Sequence, residues 1–460
     1  MIKLSIINHY AGVLLAVLSV ACHADHLVAH RSDSVFGLPD WLNISINHRI
    51  RYETLDGQYR AKTNGLPGNG GDQALVFRTL ARVRMDLNQF TIGAEMQDSR
   101  ISLADSGTAT NSKRLTTTIA NPLELLQAYL EVPVNDIGLK NSQSLLRLGR
   151  ITMDVGSRRL VARNRFRNTI NAFTGIDWQW NYQDQGFRAF YTFPVERRVQ
   201  GDIRNNHPRF DSERTTTRFW GLDYHQNLFT QTDQGEVFLF GLDREKQKKT
   251  VKNLSLYTFG FRVWRKPANQ LFDYQLESVY QLGHSRLSSA PSKTLDHVAF
   301  FHHAEFGYQS NSVWSPRLIL QYDYASGDDS PNDGENNRFN TLFGARRFDF
   351  GPTSIYGAFA RSNLHSPGLR LKMRPLKSLK TMFVVRGYWL ASTADLWTTA
   401  GIKGNQAYIG TQIEASLRWQ VLSKHLQLEA GVAHLFAGDL MSKAGKGNAT
   451  YAYSQMTVKF

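Results

Sequence analysis

The chain has 460 residues, 42% of them hydrophobic and 20% charged, with a formal net charge of +15. A mean hydropathy of −0.38, with no apolar stretch of about 18 residues beyond the N-terminus, excludes a helical membrane protein. The basic balance favours anionic partners, and the single cysteine, Cys22, excludes a disulfide framework.

The first element is a leader. Lys3, an apolar run over residues 11–21 and the close Cys22-His23-Ala24 have the form of a secretory signal peptide, residues 1–24, cleaved after Ala24. The run is shorter than the roughly 20 residues a helical span needs, and Ser19 argues against lipidation at Cys22. The expected mature chain, residues 25–460, keeps 53 Lys and Arg against 39 Asp and Glu. An exported chain rarely meets nucleic acid, and no motif of that class is present. Anionic polysaccharide, lipopolysaccharide phosphates or small anions suit the compartment better.

From Trp41 onward the pattern is period-two alternation in segments of about 10 residues, as in barrel strands with lipid on one side and water on the other. The stretch 77–87 sets Phe77, Thr79, Ala81, Val83, Met85 and Leu87 against Arg78, Leu80, Arg82, Arg84 and Asp86. An Arg facing lipid near the midplane costs about 2 to 4 kcal/mol, so these arginines are expected to face a lumen. After an Asn88-Gln89 turn, alternation resumes at Phe90, and it recurs over 187–195, 238–242, 257–264, 318–324, 369–373, 409–419 and 426–432. Short links are expected at Asn88-Gln89 and over 183–185, 266–270, 377–378 and 422–424. Long polar ones are expected over 55–73, 99–121, 152–175, 199–215 and 326–366. In bacterial barrels short turns are periplasmic and long loops extracellular. The reading is an all-β, transmembrane, antiparallel up-and-down β-barrel of about 18 strands in the bacterial outer membrane, with 354–360 as a possible extra strand. Aromatics such as Trp178, Trp180, Tyr182, Tyr322, Tyr324 and Trp419 fall on the apolar faces near strand ends, where interfacial girdles use them. The chain closes on an alternating strand, 451–460, ending in Phe460, the form that engages the barrel-assembly machinery.

Three stretches carry a family resemblance. The first is Leu146-Arg147-Leu148-Gly149-Arg150 with Gly156-Ser157-Arg158-Arg159-Leu160-Val161 and Phe173-Thr174-Gly175. The second is Tyr324-Ala325-Ser326-Gly327-Asp328 with Phe339-Asn340-Thr341-Leu342-Phe343. The third runs from Pro367-Gly368-Leu369-Arg370-Leu371 through Arg386 and Leu435-Phe436-Ala437-Gly438 to Phe460. In this order and spacing they resemble the alginate export family of outer-membrane porins over most of the mature length. The resemblance implies an 18-stranded barrel with an arginine-lined lumen that passes an anionic polysaccharide outward.

By parity the lumen carries Arg78, Arg82, Arg84, Arg147, Arg188, Arg262, Arg317, Arg370, Lys372, Arg374, Arg386 and Arg418, and Arg150 and Arg159 join them in the expected lumen and gate set. Arg suits this place, because its planar fork grips a carboxylate and stays charged at physiological pH. The same parity sends Asp86, Glu95, Glu131, Asp223, Glu277, Glu305, Asp323, Glu414 and Glu429 inward, so many arginines are equally expected to pair across strands. Arg158, Arg159, Arg163, Arg165 and Arg167 cluster in one long loop, which either folds inward or binds lipopolysaccharide phosphates. The acidic stretch 328–335 lacks EF-hand spacing, and His302 and His303 point to opposite faces, so no metal and no cofactor is expected. No nucleophile, base and orienter set stands out. The expected function is a channel exporting an anionic polysaccharide and not an enzyme, with uptake of small organic acids or an outer-membrane hydrolase as alternatives.

Overall fold

The computed structural model describes residues 37–60, 71–104, 116–198, 202–228, 230, 232–245, 254–286, 294–330 and 332–460. The expected signal peptide lies outside them. Eighteen strands of nine residues or more follow in order: β1 Leu42–Asp56, β2 Asp72–Leu87, β3 Phe90–Ser102, β4 Asn121–Pro133, β5 Gln143–Ile151, β6 Phe173–Tyr182, β7 Gln185–Glu196, β8 Thr217–Asn227 and β9 Asp233–Arg244. The series continues with β10 Leu254–Arg265, β11 Phe272–Arg286, β12 Thr294–Gln309, β13 Arg317–Ala325, β14 Leu364–Leu376, β15 Leu379–Trp389, β16 Tyr408–Leu422, β17 Leu426–Ala437 and β18 Ala449–Lys459. Each pairs antiparallel with the next, and β18 returns to β1 with Asn47 opposite Lys459 and Asp56 opposite Thr450, which closes the cylinder. Closure leaves no unpaired strand edge, the condition for a sheet to span lipid.

Alternation produces two unlike surfaces. Along β13, Leu318, Leu320 and Tyr322 are 48%, 60% and 42% exposed, whereas Ile319, Gln321 and Asp323 between them are 0%, 5% and 1% exposed. The outward set is the greasy exterior and the inward set is covered by the barrel's own contents. Aromatic pairs such as Phe300 with Tyr324 and Trp389 with Tyr408 lie on neighbouring strands. Bulges interrupt the register at 373–376 and at 420–422, near the short turns.

Connections alternate as expected. Two to nine residues link strands at the rim that also holds both ends of the cylinder, and the long connections sit at the opposite rim. Residues 354–360, read from sequence as a further strand, are instead coil buried inside the barrel, with Ile355 and Tyr356 fully covered. An apolar run this short is consistent with any buried segment, and its partners decide its shape.

The two longest connections, 152–172 and 326–363, fold into the cylinder. Residues 151–161 and 339 pack among Phe173, Phe219, Phe240 and Phe301 along the arc β4 to β13. Residues 350–359 pack among Tyr388, Ile409, Leu435, Tyr451 and Leu55 along the arc β14 to β3, joined by Trp397 and Tyr59. Between them the two apolar clusters fill the half of the barrel nearest the long loops. The half nearest the short turns stays polar.

Candidate functional site

Below the infolded segments lies a cavity of about 1130 Å³, opening toward the short-turn rim. Its wall is supplied by inward residues of β1, β2 and β13 to β18, and its roof by residues 154–166 and 345–353. Twelve cationic side chains line it: Arg49, Arg78, Arg158, Arg165, Arg317, Arg347, Arg370, Lys372, Arg374, Lys380, Arg418 and Lys459. Against them the lining sets Asp154 and Glu429 among the described residues, while Asp273, Glu305 and Glu414 behind it pair with Arg317 and Arg347. A low-dielectric wall around such an excess focuses the field and concentrates anions.

The parity reading places its arginines on the correct face, but they fall into two groups. Arg78, Arg317, Arg370, Lys372, Arg374 and Arg418 reach the cavity. Arg317 is shared with Asp273 and Glu305 at 2.9 Å each, and Arg418 meets Glu429 at 2.8 Å while remaining half exposed. The second group is structural. Arg84 and Arg147 meet Glu131 at 2.9 and 2.8 Å, Arg188 meets Asp177 at 2.6 Å, and Arg262 meets Glu236 at 2.7 Å with its guanidinium 3.8 Å from the Trp264 ring. Arg82 donates to the Tyr129 hydroxyl at 2.9 Å.

Arg150 departs from the lumen expectation. Arg147 is opposite Glu131 and Asp177, so residue 150, an odd number of steps away, lies on the other face of β5, opposite Ala128 and Thr174. There it binds Glu124 and Glu213 at 2.7 Å each and the Leu125 carbonyl at 2.9 Å.

The loop cluster folds inward, and so does not present itself to lipopolysaccharide. Arg159, 3% exposed, meets Glu277 at 2.8 Å and Asp349 at 3.0 Å, and donates to His303 Nε2 at 2.8 Å. His303 Nδ1 contacts Asp323 at 2.8 Å, Arg386 also reaches Asp323, and Arg361 reaches Asp349. Arg386 further donates to Ser366 Oγ and the Asp349 carbonyl, both at 2.7 Å. This network ties both infolded segments to the wall. Burial would raise the Asp349 carboxyl, but Arg159 and Arg361 overcome it and hold the group well below the usual carboxylate range. Arg346, buried in the same segment, is lowered to about 10 by burial, with Arg361 and Arg60 adding to the shift. His303, Asp323 and Asp349 bring donor atoms within 4.8 Å of one another, a spacing that suits a metal ion. Three guanidinium groups already occupy those donors, so a further cation does not fit.

Four cavity cations escaped the sequence reading: Arg49, Arg347, Lys380 and Lys459. Arg49 was legible, because Ile44, Ile46, His48 and Ile50 form an outward row on β1 that leaves Arg49, Arg51 and Glu53 inside. Arg347 sits on a single helical turn, Arg347–Phe350, of an infolded segment, where no periodicity announces its position.

A closed 18-stranded cylinder with infolded loops and a charged interior defines the class: a β-barrel channel of the bacterial outer membrane. Its fold is that of solved bacterial proteins, including Pseudomonas aeruginosa OccK11 (OpdR), at 14% identity and TM-score 0.55 over 91% of this chain and 96% of that one. Acinetobacter baumannii OccAB1 aligns at 12% identity and TM-score 0.58, over 92% and 98%, and P. aeruginosa OccK9 (OpdG) at 12% and 0.57, over 91% and 98%. No curated protein sequence matches the chain. The alginate export family profile matches residues 40–455, and the chain belongs to that family.

Proposed function

We propose that the protein passes an acidic polysaccharide outward across the outer membrane, without catalysis, and that the basic vestibule is where the polymer is received. The observation that carries this is the twelve-to-two excess of cations in a cavity facing the short-turn, periplasmic rim. Guanidinium groups spaced along the wall offer successive weak sites for carboxylates, which lets a polyanion advance without being trapped. Arg78, Arg317, Arg370, Lys372 and Arg418 are the cargo contacts of this reading. Arg82, Arg84, Arg147, Arg150, Arg159, Arg188, Arg262 and Arg386 act on it by holding the wall and the infolded segments. The last strand, where the main-chain oxygen of Phe460 accepts a hydrogen bond from the Ile46 amide at 2.9 Å, is the segment proposed to engage the assembly machinery.

A second reading, uptake of small organic acids, is favoured by the packing that fills the loop half of the barrel. Planar-bilayer recordings separate the two. Long uronate oligomers added on the short-turn side should interrupt the current at concentrations where small carboxylates do not. Equal effects of both would transfer the assignment to small acids, and ester or peptide turnover by the refolded protein would remove the channel-only reading.

A further inference from the structure

Between the two apolar clusters, residues 163–171 close the barrel along β1 to β3 by polar contacts. Three consecutive carbonyls, those of Arg165, Phe166 and Arg167, accept six guanidinium hydrogen bonds from the wall. Arg49 donates to all three at 2.9, 3.1 and 3.0 Å, Arg78 to the first and last at 3.0 Å, and Arg51 to the middle one at 2.7 Å. Arg51 has Glu53 beside it at 2.6 Å. Arg49 and Arg78, 3% and 6% exposed, make no ion pair among the described residues, and the Nε of each has no partner among them. Both nevertheless line the basic vestibule.

We infer that Arg49 and Arg78 form a carboxylate-responsive latch, in which an acidic sugar in the vestibule displaces the carbonyls of 165–167 and so releases the segment that closes the barrel. This rests on the proposed function and adds its regulation. A guanidinium bonded to neutral carbonyls has no counter-charge in direct contact, whereas a carboxylate supplies an ionised acceptor and a bidentate fit to the same donors. The ligand binds the released state better than the latched one, because in the latched state these donors are occupied; that difference in affinity is what shifts the equilibrium. Release of 165–167 moves one aromatic ring, Phe166, which packs edge-on against Tyr453 and lies 4.3 Å from the Arg51 guanidinium and 5.0 Å from that of Arg347. Farther along the segment, Ile170 is held apart from this movement beside Leu80 and Leu126.

The test uses the full barrel in planar bilayers, with polygalacturonate oligomers on the short-turn side and neutral dextran of equal length as the control. The oligomer should raise the open fraction about tenfold or more, and dextran should leave it unchanged. Arg49→Gln with Arg78→Gln should open the channel without oligomer and abolish the response, heat-modifiable gel migration confirming that the barrel is folded. Should that variant fail to fold, Phe166→Cys with Tyr453→Cys, joined by a short reducible thiol cross-linker, carries the test. The two native rings lie with centroids 5.4 Å apart, so the space they vacate takes the linker, which should hold the channel shut against oligomer until reductant cleaves it. If oligomer only blocks a current already present, and the cross-linked variant conducts like the native protein, the latch is wrong. Anion selectivity of that current would leave the export reading intact. A current selective for cations would overturn the acidic-cargo reading itself, and a barrel silent even with oligomer would overturn both.

Discussion

Asp349 shows what a single carboxylate does inside this barrel. It receives Arg159 at 3.0 Å and also Arg361, both almost fully covered. Removing one partner of such a group leaves uncompensated buried charge, at a cost of about 3 to 5 kcal/mol. Asp349→Asn should therefore lower the denaturant midpoint by that order and make residues 158–167 accessible to trypsin at neutral pH. The sign of the pH dependence follows from the depressed carboxyl. Its contribution is complete above the unfolded value of about 4 and is lost as pH falls through the lower folded value. The native protein should lose stability as pH falls below about 4, and Asp349→Asn should lessen that loss.

At the scale of the strand, period-two alternation governs. Leu320 lies 60% exposed on the outer face of β13, between the covered Ile319 and Gln321. Leu320→Arg should destabilise the refolded barrel by about 2 to 4 kcal/mol in lipid, read as a shift in the denaturant midpoint. The same periodicity made the strands, their number and the lumen face legible in the sequence. Arg150 was added to the lumen and gate set without that periodicity, which puts it on the outer face of β5. Periodicity was silent on 152–172 and 326–363, whose positions are fixed by contacts between segments more than a hundred residues apart, such as Arg159 with Glu277 and Asp349. The apolar stretch 354–360 imitated a strand because it is buried, yet it is buried among Tyr388, Tyr451 and Trp397 inside the cylinder.

For the whole molecule, the excess of positive charge is concentrated where solute first meets the barrel from the short-turn side. Selectivity arising from that field should weaken with salt, since the Debye length falls from about 10 Å at 0.1 M to about 3 Å at 1 M. Reversal potentials across a potassium chloride gradient should show chloride preference at low salt that declines steeply at high salt. A preference unchanged by salt would mean that close contacts rather than the summed field select the ion. The overall charge was visible in the composition, but its concentration at one end was not, because parity assigns faces and says nothing about depth.

The seam between first and last strands has a consequence for how the molecule is made. Tyr451 and Tyr453 of β18 project into the cluster that holds Ile355 and Tyr356, and the Tyr451 hydroxyl donates to Glu53 of β1 at 3.1 Å, with the Ile355 amide beside the same carboxylate. The inward tyrosines of β18 thus rest both on the neighbouring wall strands, through Glu53 and Glu429, and on the residues tucked within. Zipping the wall shut and seating the interior are one cooperative event, so a chain lacking residues 350–359 should stall as an unsealed curl on its way into the membrane.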